Sequence, residues 1–231
     1  MTRMSLILLA AAALQTMAGP LHAAPSTGSV SVVELFTSQG CSSCPPANDN
    51  VAAISSRPDV IALSFGVTYW DKLGWKDTFA SRVYTERQYA YARALGHDGP
   101  FTPQVVVDGK ADVVGARRGE IEALVSHSRI AGPSLTVNGA EVEVGAGRAP
   151  PAPADVWLVR YDPRVVQVPV RAGENTGRTL PHKNVVKALI RLGGWTGQAA
   201  RFALPPAQPG LDSAILVQTK DAGPILAAAR G

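Results

Sequence analysis

Both cysteines of the chain fall in one tetrapeptide, Cys41-Ser42-Ser43-Cys44, at the joint between two different patterns. Ahead of it, residues 30–37 (VSVVELFT) form a β-branched apolar run that reads as a strand. Behind it, residues 48–56 place Val51, Ala52 and Ile54 on one side of a helix. On a first helical turn this spacing brings two sulfurs within bonding range. The free N–H groups and the dipole there favour a thiolate on the leading cysteine. A thiolate attacks a disulfide, and the second cysteine resolves the mixed disulfide that results. Cys41 is therefore the candidate nucleophile and Cys44 the resolving thiol, provided Cys41 is exposed enough for a foreign disulfide to reach it. Pro45 and Pro46 remove two backbone donors and are tolerated only in a first turn. Regular helix is expected to begin near Cys44, with Cys41 just ahead of it.

The next elements continue the alternation. Residues 60–67 (VIALSFGV) read as a second strand, 68–77 (TYWDKLGWKD) as an aromatic loop, and 78–95 as a helix with Phe79, Val83, Ala90 and Ala94 in register. Gly96 is a C-cap candidate. Residues 104–107 and 111–114 flank Asp108-Gly109, a strong hairpin signal. A helix over 118–128 follows, with Ile121, Leu124 and Val125 on one face. The order is β-α-β-α-β-β-α, in which the first two strands pair in parallel and the closing hairpin adds antiparallel strands.

Ala131-Gly132-Pro133 marks the expected boundary between a domain over residues 28–130 and one over 134–231. Residues 135–144 alternate as a half-exposed antiparallel strand, and a Pro/Ala-rich loop follows at 146–154. Further strands are expected at 155–161, 165–170, 185–192 and 214–219, although residues 183–192 also fit a helix. Short strands separated by turns point to a β-sandwich-like second domain.

Residues 1–23 read as a secretory signal peptide. Arg3 supplies the positive start, residues 6–14 an uncharged apolar run, and Leu21-His22-Ala23 a small residue at the cleavage point. The run is too short to span a membrane, which takes about 20 residues, and no later segment does better. A periplasmic or secreted location follows, where disulfides form. The surplus of 22 Lys+Arg over 18 Asp+Glu is scattered, so nucleic acid is not an expected partner.

Thr102-Pro103 enters the strand at 104–107 and is a candidate cis bond. The element order sets it beside the cysteines, where Thr102 could offer backbone groups to an extended peptide; a trans turn proline is the alternative. Trp70 and Trp75 either cover the cysteine pair and line a substrate groove or pack against the second domain. The pair itself admits three readings: redox centre, inert disulfide, or part of a metal site with His97 in an exported copper carrier. His97 otherwise reads as an exposed loop residue, His182 as a maker of a structural hydrogen bond, His127 as a partner of the helix dipole, and Glu34 as a solvated charge at a strand end.

A strand, a CxxC, a helix and a later Thr-Pro before a hairpin resemble the thioredoxin superfamily. Residues 33–47 (VELFTSQGCSSCPPA), 69–75 (YWDKLGW), 101–104 (FTPQ), 173–177 (GENTG) and 182–186 (HKNVV) are similar to a secreted bacterial family named for a domain of unknown function, DUF1223. The resemblance implies a thioredoxin-like domain followed by a β-rich one, and brings no established reaction. Gly40 stands where thioredoxins carry tryptophan before the first cysteine, and Ser42-Ser43 where they carry Gly-Pro. Leu35 occupies the position of their buried acid, with Glu34 on the opposite face of the strand. The function expected is thiol–disulfide exchange with protein thiols or disulfides, with no bound cofactor. The rivals are a non-catalytic binding module with a structural disulfide and a copper chaperone.

Overall fold

The computed structural model describes residues 30–128 and 130–231, so the leader expected at 1–23 lies outside the described residues. In the first half the elements run β1 (Ser31–Thr37), α1 (Pro45–Ile54), β2 (Val60–Gly66), α2 (Arg82–Ala94), β3 (Gln104–Val107), β4 (Ala111–Val114) and α3 (Arg118–His127). The second half contributes β5 (Leu135–Asn138), β6 (Glu141–Val144), β7 (Ala154–Asp162), β8 (Val166–Pro169), β9 (Thr179–His182), β10 (Val185–Trp195), β11 (Ala200–Ala203), β12 (Asp212–Gln218) and β13 (Ile225–Arg230). The segment that also fitted a helix is thus a strand.

β1 lies parallel to β2 and antiparallel to β3, and β3 pairs antiparallel with β4, as the order of patterns requires. Asp108 and Gly109 turn the hairpin at φ 53° and 64°, the left-handed pair that matches strand twist. α2 begins later than the periodicity suggests. Asp77 folds residues 77–80 into a turn by accepting from the Phe79 N–H, and Ser81 caps the helix by accepting from Val83. That turn presses onto β2 at Gly66, where a Cβ would lie 2.8 Å from the Ala80 nitrogen.

The β-sandwich-like second domain expected is not a separate sandwich, since the sheet order is β13-β12-β7-β10-β2-β1-β3-β4. β10 pairs with β2, so four strands of the second half extend the first-half sheet into one eight-stranded mixed sheet. Two layers do exist there: the small sheet β11-β6-β5 buries Val142 and Val144 against Val156, Leu158, Ile215 and Val217. One of those layers is simply the far portion of the large sheet. β8 and β9 form a separate two-stranded ribbon, and β9 packs against α1.

Strand alternation sends Val33 and Leu35 to the core beside α1, and Val32 and Phe36 to the other core. Glu34 shares the second face, and it is not solvated: its exposure is 0%. The Arg87 guanidinium from α2 grips it in two places, Nε to Oε1 at 2.8 Å and Nη2 to Oε2 at 3.0 Å. Tyr91 donates to the same carboxylate. Gln218 on β12 closes the network by accepting from Arg87 at 2.9 Å and donating to Tyr91 at 2.9 Å. A buried pair with its remaining valences filled holds; a widowed partner does not. Arg87→Ala is expected to lower the unfolding free energy by about 3–5 kcal/mol. The double variant Glu34→Leu/Arg87→Met should lose distinctly less. Urea unfolding of the three proteins checks this, and equal losses would rule it out.

Candidate functional site

β1 hands the chain to the cysteine loop. The Cys41 N–H donates to Ser38 O and the Cys44 N–H to Cys41 O, both at 3.2 Å, and Cys44 caps α1 with Pro45 in its first turn. Cys41 accordingly stands just ahead of the helix. Both cysteines are free thiols. The Thr102 hydroxyl, 3.4 Å away, donates to Cys41 Sγ, and the Ser43 hydroxyl lies 3.2 Å from it. Thr102-Pro103 is cis. The Trp70 indole N–H donates to Thr102 Oγ1 at 2.8 Å, which fixes the hydroxyl with its proton toward sulfur.

These contacts split the two thiols. Hydrogen bonding from Cys44, then from Ser43 and Thr102, outweighs burial and lowers the Cys41 pKa to about 6. Burial, reinforced by the neighbouring Cys41, pushes Cys44 strongly upward. At neutral pH the pair is one thiolate held by one thiol. Exposure departs from expectation: both cysteines are 0% exposed, while Ser42 and Ser43 between them face solvent.

The cover comes from three places. Trp70 lies against Gly40, whose Cβ would meet the Trp70 Cβ at 3.4 Å. Trp75 donates to Gln39 Oε1 at 2.9 Å. The loop between β8 and β9 supplies the rest. Gly173, at φ 79°, lies against both Gly40 and Trp75. Asn175, fully buried, donates to Cys41 O at 2.8 Å and Gln39 O at 3.0 Å, and Arg178 holds its own oxygen at 2.8 Å. Glu174 accepts from the Ser42 N–H at 2.9 Å and hydroxyl at 2.7 Å, bonds that lower its pKa. Trp70 thus lies against the cysteine loop at Gly40, and Trp75 joins that loop at Gln39 to the second half at Gly173.

Sequence reasoning missed Gln39, Asp77, Glu174 and Asn175 as site residues. Asp77 accepts from the Gln39 N–H at 2.7 Å, and burial raises its pKa. The string 173–177 was visible, but nothing in it said that it would land on a loop more than a hundred positions earlier. On the far side of Thr102, Gln88 donates to Phe101 O at 2.7 Å, and burial pushes the Tyr69 phenol up to about 12.

The histidines are redistributed. His97 Nε2 lies 2.9 Å from Asp112 Oδ2 and the ring meets Phe101 edge-on. It forms no metal-binding group with the cysteines: among the described residues no three His, Cys, Asp or Glu side chains are so arranged. His127 Nδ1 lies 2.7 Å from Ala123 O at the end of α3. His182, expected to make a structural hydrogen bond, is buried with Nε2 unpartnered.

A family model described as "Protein of unknown function (DUF1223)" matches residues 32–218. A crystal structure of a protein from Agrobacterium tumefaciens is 34% identical, with a TM-score of 0.74 over 89% of this chain and 95% of that one. HBP35 of Porphyromonas gingivalis shares the fold alone: 14% identity and a TM-score of 0.56 over 90% of this chain and 76% of the other. None of the curated proteins compared with it matches this chain.

If the Thr102 hydroxyl holds the thiolate, Thr102→Val must weaken it. A hydrogen bond to a charged group contributes about 1.5–3 kcal/mol, or about one to two pKa units. The pH profile for Cys41 alkylation, whose midpoint is expected at about 6 in the native protein, should shift upward by that amount in the variant. An unmoved midpoint would show that the hydroxyl is a bystander.

Proposed function

This chain belongs to the family described as protein of unknown function (DUF1223), and on that premise we propose that it is an exported thiol–disulfide oxidoreductase whose first half is thioredoxin-like. One observation carries the reading: the hydroxyls of Ser43 and Thr102 and the thiol of Cys44 converge on a single sulfur, that of Cys41. A cysteine meant only as a clamp gains nothing from a stabilised thiolate. A disulfide closing so short a loop also removes little unfolded-state entropy. The thioredoxin-like reading is supported by the β-α-β-α-β-β-α order, with CxxC between β1 and α1 and Thr102-Pro103 just before β3. Export is supported by the leader-like pattern at residues 1–23.

The reaction is two displacements. Cys41 thiolate attacks one sulfur of a protein disulfide; a Cys41–substrate bond forms, and the first substrate sulfur leaves as thiolate. Cys44 loses its proton and attacks Cys41; the Cys41–Cys44 bond forms, and the second substrate sulfur leaves. The cysteine pair is oxidised by two electrons and the substrate disulfide reduced by two. Run backwards, the same steps oxidise a dithiol. Since Cys41 is covered at rest, exchange requires the loop carrying Glu174 or the aromatic segment carrying Trp70 to give way first, and the exposed Ser42-Ser43 pair marks the side of approach.

That covering also favours a second reading, a non-catalytic binding module in which the pair is structural. Redox titration against glutathione separates the two. The oxidoreductase reading expects a potential above about −300 mV, loss of disulfide turnover in Cys41→Ser, and accumulation of mixed disulfides in Cys44→Ser. A potential far below that value, with turnover absent from the native protein, would leave the structural reading standing.

A further inference from the structure

The Cys44 proton is the loose end of this chemistry, because the thiol is fully buried and has no solvent beside it to take the proton. Behind the cysteine loop a small cavity of about 10 Å³ is lined by Thr37, Ser64, Asp77, Phe79, His182 and Val185. That is about the space the centre of one water molecule needs. The polar wall is nearly spent. Both Asp77 oxygens accept backbone N–H groups, from Gln39 at 2.7 Å and Phe79 at 2.8 Å. Ser64 Oγ donates to Lys183 O at 2.9 Å, and Thr37 Oγ1 donates to Asn48 Oδ1 at 3.0 Å. His182 Nε2 is left over: a buried nitrogen with no partner. Across Thr37, Asn48 Nδ2 is another. A buried polar atom without a hydrogen bond is costly, and both of these belong to residues next to the Thr37 hydroxyl that bonds Cys44: His182 lines the same cavity as Thr37, and Asn48 accepts from it.

We infer that His182, supplied by the second half of the chain, is the positioning residue that takes up the Cys44 proton, through the Thr37 hydroxyl and one water held in this cavity. The inference rests on the oxidoreductase reading. The water can donate to His182 Nε2 and to one of the two hydroxyl oxygens, Thr37 Oγ1 or Ser64 Oγ, and two partners are enough to hold it. In the resolving step the Cys44 S–H gives its proton to Thr37 Oγ1 while the Thr37 O–H turns from Asn48 Oδ1 to the water, and the water passes a proton of its own to Nε2. The thiolate then attacks Cys41, the Cys41–substrate bond breaks, and its electron pair leaves on the substrate sulfur. The imidazolium afterwards returns its proton to solvent. Burial first, and then the Lys187 ammonium, lower the His182 pKa to about 4, so the ring is a neutral acceptor at rest. Lys187 reaches from β10 over the Phe79 ring at 4.2 Å. Asp162 draws on that lysine, and Asp77 faces the cavity from the aromatic loop. Against the lysine, the Asp77 carboxylate and the developing Cys44 thiolate supply the negative charge that accommodates an imidazolium for the duration of the step.

Rapid-quench reaction of the reduced protein with glutathione disulfide, read by mass spectrometry, resolves the two displacements as formation and decay of the Cys41–glutathione adduct. In His182→Gln the adduct should form within twofold of the native rate and decay about 100-fold more slowly at pH 7, the low end of what a proton acceptor contributes. Raising the pH should restore the decay, since Cys44 then ionises unaided; a packing defect would not respond to pH in this way. Unchanged decay overturns the inference, and so does a slowed decay that alkaline pH fails to restore. Should His182→Gln not fold, imidazole NMR of the native protein decides: the His182 resonances must move between the reduced and disulfide forms, and identical spectra overturn the proposal. A native protein that forms no adduct at all overturns the oxidoreductase reading itself, an outcome distinct from adduct formation followed by unaltered decay.

Discussion

The seam between β2 and β10 is the contact on which the rest of the molecule depends. Its ladder is short, with a single register pair, Val185 against Ser64. Further hydrogen bonds lengthen it: the Ser64 backbone N–H donates to Asn184 O at 2.9 Å, and the side chains add Ser64 Oγ to Lys183 O at 2.9 Å and Asn184 Nδ2 to Ala62 O at 2.8 Å. Asn184 sits at φ 52°, a left-handed conformation that Asn tolerates better than most residues. Through this seam a strand of the second half joins the sheet of the first. A continuous sheet fixes everything attached to its strands, including the ribbon that ends at His182 and the loop that carries Asn175.

Seen from the cysteines, the consequence is a composite site. Cys41, Cys44 and Thr102 come from the first half; Glu174, Asn175 and His182 come from the second. The Asn175 amide donates to two carbonyls of the cysteine loop, Gln39 O and Cys41 O. It holds the loop in shape and shuts it in the same act. The Glu34–Arg87–Tyr91–Gln218 network does comparable work on the α2 face of the sheet, tying β1 and α2 to β12 through buried charge and hydrogen bonds. Two polar bridges between the halves, one at the cysteines and one in the core, leave little freedom for the halves to move as separate bodies.

Local pattern made much of this legible. Strands, crossover and hairpin followed from runs of Val, Ile and Leu and from Asp108-Gly109, and the start of α1 followed from two prolines that can occupy only a first turn. Thr102-Pro103 could be set beside the cysteines because element order alone brings the entry to β3 next to the exit from β1. In the second half β9, β11 and β13 escaped notice. Their sequences, TLPH, ARFA and ILAAAR, are short or alanine-rich and carry little periodicity. Glu34 was misjudged because one strand's alternation names the face a side chain takes but not what later covers that face.

The sequence by itself determined the chemistry available: two thiols at a strand–helix joint, a hydroxyl-bearing Thr before proline, and a pattern dense enough in apolar residues to bury them. Only the tertiary structure decided how that chemistry is held. Whether a sulfur is open or sealed, and where the proton of Cys44 can go, depends on groups more than a hundred positions away in the chain. Hydrogen bonds and burial act through space over a few ångströms, whereas periodicity reports only on neighbours along the chain.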